Sequence, residues 1–170
     1  MIDIDAALEM LIAKHTLIPN KQAMLVAISG VDGSGKGYLA RKIAAMLLQQ
    51  DLRVANINID GWLNLPKKRF SRTNPAEHFY RHATRFDELF AKLVFTLRDH
   101  RSICIEADFA EETATEYRKH TYNFEEINVI LLEGIYLLKR QFHSYYDLSL
   151  WVECSFDTAL ERAVVLFHKG

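Results

Sequence analysis

Five segments of the chain have the apolar content of strands, at residues 24–30, 53–60, 101–108, 127–134 and 148–155. Two of them, 24–30 and 127–134, are apolar almost throughout. Such a run is typical of a strand that is buried on both faces, as in a parallel sheet covered by helices. The five segments predict five strands of one mostly parallel sheet.

Between these runs, apolar residues recur every three or four positions, which is the spacing of one helix face. They predict helices over residues 4–15 and 36–50, from Phe86 to Leu97, and from Leu160 to Phe167. Strands that alternate with helices form a layered fold, because right-handed crossovers place helices on both faces of the sheet. The predicted fold class is therefore α/β, a three-layer sandwich around a mostly parallel five-stranded sheet.

The length of 170 residues suits one domain with a substantial core. We expect residues 1–21 to form a helical segment packed on a single domain of residues 22–170, since no segment has the composition of a linker. Cys104 and Cys154 lie in two of the predicted strands, and we expect them to be buried free thiols.

Charge and composition exclude several classes of protein. A net charge of −1 gives no overall field that would attract nucleic acid or an anionic membrane. The N-terminus carries acids where a signal peptide needs cations. The longest apolar run, residues 129–138, contains Glu133 and is too short to span a bilayer. We predict a cytoplasmic protein with no nucleic-acid or membrane partner, and a homo-oligomer remains open.

The segment GVDGSGKGYLA, residues 30–40, follows the first predicted strand and precedes a predicted helix. It fits the phosphate-loop pattern G-x-x-x-x-G-K, in which glycines let backbone N–H groups gather around a phosphate. The helix N-terminus adds a partial positive charge, and Lys36 adds a full one. The candidate nucleotide-binding residues are Gly30, Asp32, Gly33, Ser34, Gly35, Lys36, Gly37 and Tyr38.

The pattern departs at Gly37, where the motif has a Ser or Thr whose hydroxyl binds Mg²⁺. Mg²⁺ keeps several waters and needs only one or two carboxylates besides the substrate phosphates, so a water could fill this position. We therefore expect Gly37 to weaken metal positioning more than nucleotide binding. Ser34, inside the loop, is a weaker candidate for replacing the hydroxyl.

Two acids follow predicted strands, Asp60 after the second and Glu133 at the end of the fourth. Open α/β sheets bind ligands at the carboxyl ends of their strands. Both acids are candidate Mg²⁺ ligands, and Asp60 is also a candidate base for the proton of an attacking hydroxyl. With Lys36 they form the candidate catalytic set. The alternative for each acid is a helix cap or a turn residue.

The phosphate loop, D-G-W at residues 60–62 and V-I-L-L-E-G-I at 129–135 together resemble the uridine kinase and phosphoribulokinase branch of P-loop kinases, and uridine kinase most. The resemblance covers roughly residues 22–165. It implies a P-loop NTPase fold, ATP and Mg²⁺ as cofactors, and a small-molecule phosphate acceptor. It makes Asp60 the catalytic acid, places Trp62 at the acceptor site, and assigns Glu133 to the metal.

The sequence departs from uridine kinases in the segment that holds the nucleoside. In those kinases a Tyr-Asp-Phe motif in a hairpin is followed by His and Arg. This chain keeps Asp108 and Phe109 but has Ala107 at the tyrosine position, and the His–Arg pair is out of register. Asp108 and Tyr122 remain candidate acceptor-binding residues.

A second departure concerns the arginine-rich lid that follows the fifth strand in the family. Arg162 matches an arginine on the helix leading to the lid and is a candidate substrate-binding residue. Since the sequence stops at Gly170, we expect the lid and the C-terminal part to be absent or shortened.

A basic cluster lies in the polar segment 65–75 and consists of Lys67, Lys68, Arg69 and Arg72. It could bind a phosphate on the acceptor or replace missing lid charge, and the alternative is a solvated loop.

The leading hypothesis is ATP-dependent phosphoryl transfer to a hydroxyl of a nucleoside. One alternative is a kinase for pantothenate, a sugar phosphate or glycerate. The other is a module that binds a nucleotide without catalysis, which Gly37 and the missing lid favour.

Overall fold

The computed structural model describes residues 4–155 and 157–159. Its strands are β1 (Met24–Gly30), β2 (Val54–Asn58), β3 (Ile103–Phe109), β4 (Arg118–Phe124), β5 (Val129–Gly134) and β6 (Leu148–Val152). Its α-helices are α1 (Ile4–His15), α2 (Lys36–Leu48), α3 (Pro66–Arg69), α4 (Pro75–His82), α5 (Phe86–Leu89) and α6 (Phe95–His100). A π-helical segment, Phe90–Val94, joins α5 to α6, and 3₁₀ turns lie at Ile59–Gly61 and Arg140–Tyr145.

Four of the strands form one parallel sheet in the order β2-β5-β1-β6. The two central strands, β1 and β5, are buried along their whole length. Successive side chains of β1 enter opposite cores, with Leu25 and Ala27 on one face and Val26 and Ile28 on the other. The unbroken apolar runs thus correspond to strands covered on both faces.

Helices cover each face of the sheet. On one face, Leu11 of α1 packs in the same cluster as Ile43 and Leu47 of α2. On the other face, the helical segment from α5 to α6 contributes Leu89 and Leu93 to a cluster that also holds residues of the β3–β4 hairpin. The result is the predicted three-layer sandwich.

The register brings the carboxyl ends of three strands together. Glu133 of β5 stands beside Ile28 of β1 on one side and Asn58 of β2 on the other. The segments that follow these strands therefore meet at one edge of the sheet, which is where the phosphate-loop pattern lies.

The predicted fold class is confirmed, with one correction to the sheet. The run 101–108 does not join the parallel sheet but pairs antiparallel with β4 as strand β3. Its side chains alternate, with Cys104 and Glu106 exposed and Ala107 buried, because one face of the hairpin meets solvent. The alternation of apolar and polar residues in this run is the sign of such a strand. For the same reason the prediction that Cys104 is buried is wrong.

No helix among the described residues is long and apolar enough to cross a membrane. The predicted helix from Leu160 to Phe167, and with it the candidate residue Arg162, lies outside the described residues.

Candidate active site

The loop between β1 and α2 has the backbone shape that its glycines predict. Gly33 and Gly35 have φ angles of 72° and 96°, in the left-handed region that favours glycine. Gly35 is also the N-cap residue of α2, so the loop leads directly into the helix. In such a turn, successive N–H groups can gather around an anion at a helix N-terminus. Gly30 and Ser34 are buried in the loop, whereas Asp32 and Tyr38 are exposed.

Lys36 is the first residue of α2, and only 8% of its surface is exposed. Its Nζ donates a hydrogen bond of 2.9 Å to the carbonyl oxygen of Val31 within the loop. In the part of the chain that the structure describes, no acid forms an ion pair with it. The ammonium group is therefore held at the loop by one neutral acceptor and is available to an anionic ligand.

Glu133 lies at the end of the central strand β5 and is 7% exposed. Burial raises the pKa of its carboxyl group, and the neighbouring charge of Asp60 raises it further, while Lys36 opposes the shift. A buried carboxylate at this position is costly unless a cation or several donors compensate it.

Asp60 follows β2, and its backbone N–H donates to Oδ1 of Asn58 at 2.7 Å, which fixes the turn. Asp60 is exposed to solvent as a residue. The surrounding protein nevertheless removes water from its carboxyl group, and this desolvation raises the pKa of the group. The charge of Asp32 raises this pKa further, and Lys36 lowers it. The charges of Asp60, Glu133 and Lys36 thus act on one another. Because a carboxylate with a raised pKa is a better proton acceptor near neutral pH, the shift suits Asp60 to the role of a base.

The carboxylates of Asp60 and Glu133 suit a hard divalent cation. Within residues 4–155 and 157–159, no group of three or more His, Cys, Asp or Glu side chains is arranged to hold a metal ion. Mg²⁺ does not need such a group, because in kinase sites it is held by one or two carboxylates together with the substrate phosphates. The residues present fit a metal ion that binds with a nucleotide.

The structure shows what surrounds the missing hydroxyl at Gly37. A Cβ atom built on Gly37 would lie 3.3 Å from Oε1 of Glu133 and 3.4 Å from Nη1 of Arg41. A Ser at this position would therefore project toward the Glu133 carboxylate. The positive charge of Arg41 also acts on Glu133 and lowers its pKa.

Replacing Gly37 with Ser should lower the Mg²⁺ concentration needed for nucleotide binding. The new side chain would contact only the tips of two side chains that can shift, and its hydroxyl would add one metal ligand. We expect a gain in Mg²⁺ affinity of about twofold to tenfold, the range of one added polar interaction. Calorimetric titration of ADP at a series of Mg²⁺ concentrations measures it. Gly37→Ala is the matched control, and equal behaviour of the two variants would contradict the interpretation.

A cleft of about 310 Å³ opens beside the phosphate loop, and we call it the acidic cleft. It is bounded by the loop, the end of β2, α3, α4 and the tip of the hairpin. Its lining residues are Asp32, Lys36, Asn58, Asp60, Gly61, Leu63, Arg69, Phe79, Phe109, Glu111, Glu112 and Ile135. The cleft therefore exposes the candidate base Asp60 and the candidate phosphate ligand Lys36 to the same ligand.

Three residues predicted to bind the acceptor do not line this cleft. Trp62 is fully buried, and its ring stacks on that of Tyr122 with centroids 5.6 Å apart. Both rings belong to the hydrophobic core, because the hairpin packs on the turn after β2. The carboxylate of Asp108 is bound by Nζ of Lys119 at 2.6 Å. Contact of Trp62, Asp108 and Tyr122 with an acceptor therefore stays a prediction, made for side chains that lie outside the lining of this cleft.

Sequence reasoning missed several lining residues. Asn58 could have been found, since an Asn two positions before a strand-end acid is a turn-capping residue. Arg69 is distinguished in the sequence only as a member of a basic cluster. Phe79 and Ile135 carry no signal of their own, because their contribution depends on how α4 and the end of β5 are placed.

A second cavity of about 440 Å³ also borders the phosphate loop. It is lined by loop residues and by several aromatic side chains, among them Tyr80, Tyr136 and Trp151. Asp32, Phe79 and Ile135 line both cavities, so the two cavities are neighbours.

The chain is similar to known proteins in sequence and in fold. No protein-family model matches the chain. Uridine kinase from Limosilactobacillus reuteri is 26% identical to it over 148 residues, which are 85% of this chain and 65% of that protein. The chain thus spans 65% of the length of the curated relatives that it matches.

Solved structures share the fold. A possible uridine kinase from Bacillus stearothermophilus matches with a TM-score of 0.76 and 19% identity, over 94% of this chain and 84% of that one. A candidate fructose transport system kinase from Silicibacter sp. TM1040 matches with a TM-score of 0.75 and 22% identity, over 99% of this chain and 83% of that one. The resemblance to uridine kinases and the P-loop kinase fold are confirmed.

Proposed function

We propose that the protein transfers a phosphoryl group from ATP to a hydroxyl of a small molecule. The observation that carries this proposal is the convergence of Lys36, Asp60 and Glu133 beside one glycine-rich loop at the carboxyl edge of the sheet. The sequence similarity to uridine kinase supports it. The setting that we propose is the cytoplasm, where ATP is abundant.

Each residue has a distinct role in the proposed reaction. The loop N–H groups and Lys36 bind the donor phosphates and stabilise the charge that develops during transfer. Asp60 orients the acceptor hydroxyl and accepts its proton. A bound Mg²⁺, held by Glu133 and Asp60, would supply charge neutralisation at the phosphate oxygens. Arg162, outside the described residues, stays a predicted substrate-binding residue.

The molecule that accepts the phosphoryl group is either a nucleoside or another small hydroxyl compound. Similarity to uridine kinase favours a nucleoside. Two features separate this chain from that acceptor: Ala107 is buried where the family has a tyrosine, and Asp108 is paired with Lys119. Pantothenate, a sugar phosphate or glycerate is therefore retained as an alternative acceptor.

A panel of acceptors incubated with ATP and Mg²⁺ tests the proposal. ADP release that depends on one acceptor supports a kinase. ATP binding by calorimetry without acceptor-dependent ADP release would instead support a nucleotide-binding module. Gly37 favours this second function, because the motif has a metal-binding hydroxyl at that position and glycine has none.

A further inference from the structure

Arg69 is a buried charge at the edge of the acidic cleft. It ends the short helix α3, and only 2% of its surface is exposed, whereas the adjacent Lys67 and Lys68 are exposed. Arg69 therefore differs from its neighbours in the basic cluster, because it is buried and they are exposed. Burial of a charged side chain is unfavourable unless a partner compensates it.

The protein supplies Arg69 with few partners. One terminal nitrogen donates to the carbonyl oxygen of Glu112, and the guanidinium group lies 5.1 Å from the ring centroid of Phe70. Within residues 4–155 and 157–159, the buried Nε has no hydrogen-bond partner. Among the described residues no carboxylate forms an ion pair with Arg69. A guanidinium group carries five N–H donors, and the hydrogen bond to Glu112 uses one of them within the described part of the chain.

Arg69 lies in the cleft where we expect the acceptor to bind. Arg69 lines the same cleft as Asp60, the proposed base, and Lys36, the proposed ligand of the donor phosphates. Arg69 and Lys36 are the cations that line the cleft in the described part of the chain. The acids Asp32, Asp60, Glu111 and Glu112 also line the cleft. Glu111 forms an ion pair with Arg118 at 2.7 Å, and among the described residues none of the four acids forms one with Arg69.

We infer that the phosphate acceptor carries an anionic group, a phosphate or a carboxylate, which Arg69 binds while the acceptor hydroxyl lies at Asp60. The planar fork of a guanidinium group matches two oxygens of either anion. This inference rests on the proposed kinase function and specifies its substrate class. Of the acceptors named above, pantothenate, glycerate and sugar phosphates carry such a group, and uridine does not.

Matched pairs of acceptors test the inference on the unaltered protein. Each pair shares the hydroxyl groups of the anionic member, and the neutral member has one further hydroxyl group in place of the anion: glycerate with glycerol, ribose 5-phosphate with ribose, and pantothenate with its alcohol. Binding is measured by calorimetry in the presence of ADP and Mg²⁺, and ADP release is measured with ATP. We expect the anionic member of at least one pair to bind tenfold or more tightly than its neutral partner, as for one charge-assisted contact.

Substitution at position 69 then identifies the residue responsible. Arg69→Gln should reduce kcat/KM for the anionic acceptor by roughly 10- to 100-fold, mainly through KM, and leave the neutral partner almost unchanged. Arg69→Lys should recover part of the loss, because it restores the charge without the fork. Lys67→Gln is the matched control, since it removes the same charge from an exposed position of the same helix.

The outcomes separate this inference from the proposed function. If both members of every pair bind equally, or neither binds, the inference is wrong whatever the kinase activity. If a neutral acceptor is phosphorylated as well as its anionic partner, the kinase function stands and the inference fails. If the anionic member binds through Arg69 without ADP release, the substrate-class inference stands and the kinase function fails.

Discussion

Replacing Lys36 with Ala should reduce kcat/KM for phosphoryl transfer by about 10²- to 10³-fold, the cost of removing one preorganised donor from a charged transition state. Lys36 is nearly buried at the loop and acts electrostatically on both Asp60 and Glu133. Among the residues that the structure describes, its Nζ donates to one neutral acceptor, the carbonyl oxygen of Val31. No other cation that lines the acidic cleft in the described residues belongs to the loop. Its loss should therefore remove the main positive charge available to the donor phosphates.

The matched control for this variant is Lys42→Ala. Lys42 lies on the same helix, is exposed, and has its Nζ 5.7 Å from the ring centroid of Tyr38. It should retain activity and ADP affinity, while Lys36→Ala loses both and keeps its thermal transition within a few degrees of the parent protein. Normal turnover by a folded Lys36→Ala variant would contradict the assignment of the loop.

Replacing Asp60 with Asn should lower kcat by about 10²- to 10⁴-fold while ATP still binds. Asn has nearly the same shape but cannot accept the hydroxyl proton, so the loss should appear in the chemical step. The turn should survive, because it is fixed by the backbone N–H of Asp60 and the side chain of Asn58. Single-turnover measurements with saturating ATP and acceptor separate this step from binding.

Asp51→Asn is a suitable control for the Asp60 variant. Asp51 is an exposed acid with a φ angle of 58°, a conformation that Asn also tolerates. It should leave kcat unchanged. An Asp60→Asn variant with the parent kcat would show that another group accepts the proton, or that no proton acceptor is needed.

The features that sequence predicts well here are those encoded by contiguous residues. The apolar runs of β1 and β5 specify strands buried on both faces, and the glycine spacing specifies the turn before α2. Because parallel strands share one carboxyl edge, the position of Glu133 beside the loop also follows from the sequence.

The remaining features depend on packing between segments that are distant in the sequence. The side chain of Trp62 could have faced either the cleft or the core, and its stacking on Tyr122 of the hairpin decides for the core. In the same way, nothing in the segment 65–75 distinguishes Arg69 from its basic neighbours. Only the contact with the Glu112 carbonyl and the burial of the guanidinium group do so.

A crystal structure with a non-hydrolysable ATP analogue and Mg²⁺ tests the central claim most directly. The proposed site requires the β- and γ-phosphates to bind the N–H groups of residues 30–37 and Nζ of Lys36. It also requires the metal to lie between these phosphates and the carboxylates of Asp60 and Glu133. A triphosphate bound elsewhere on the protein, or held in the loop with both carboxylates directed away from the metal, would contradict it.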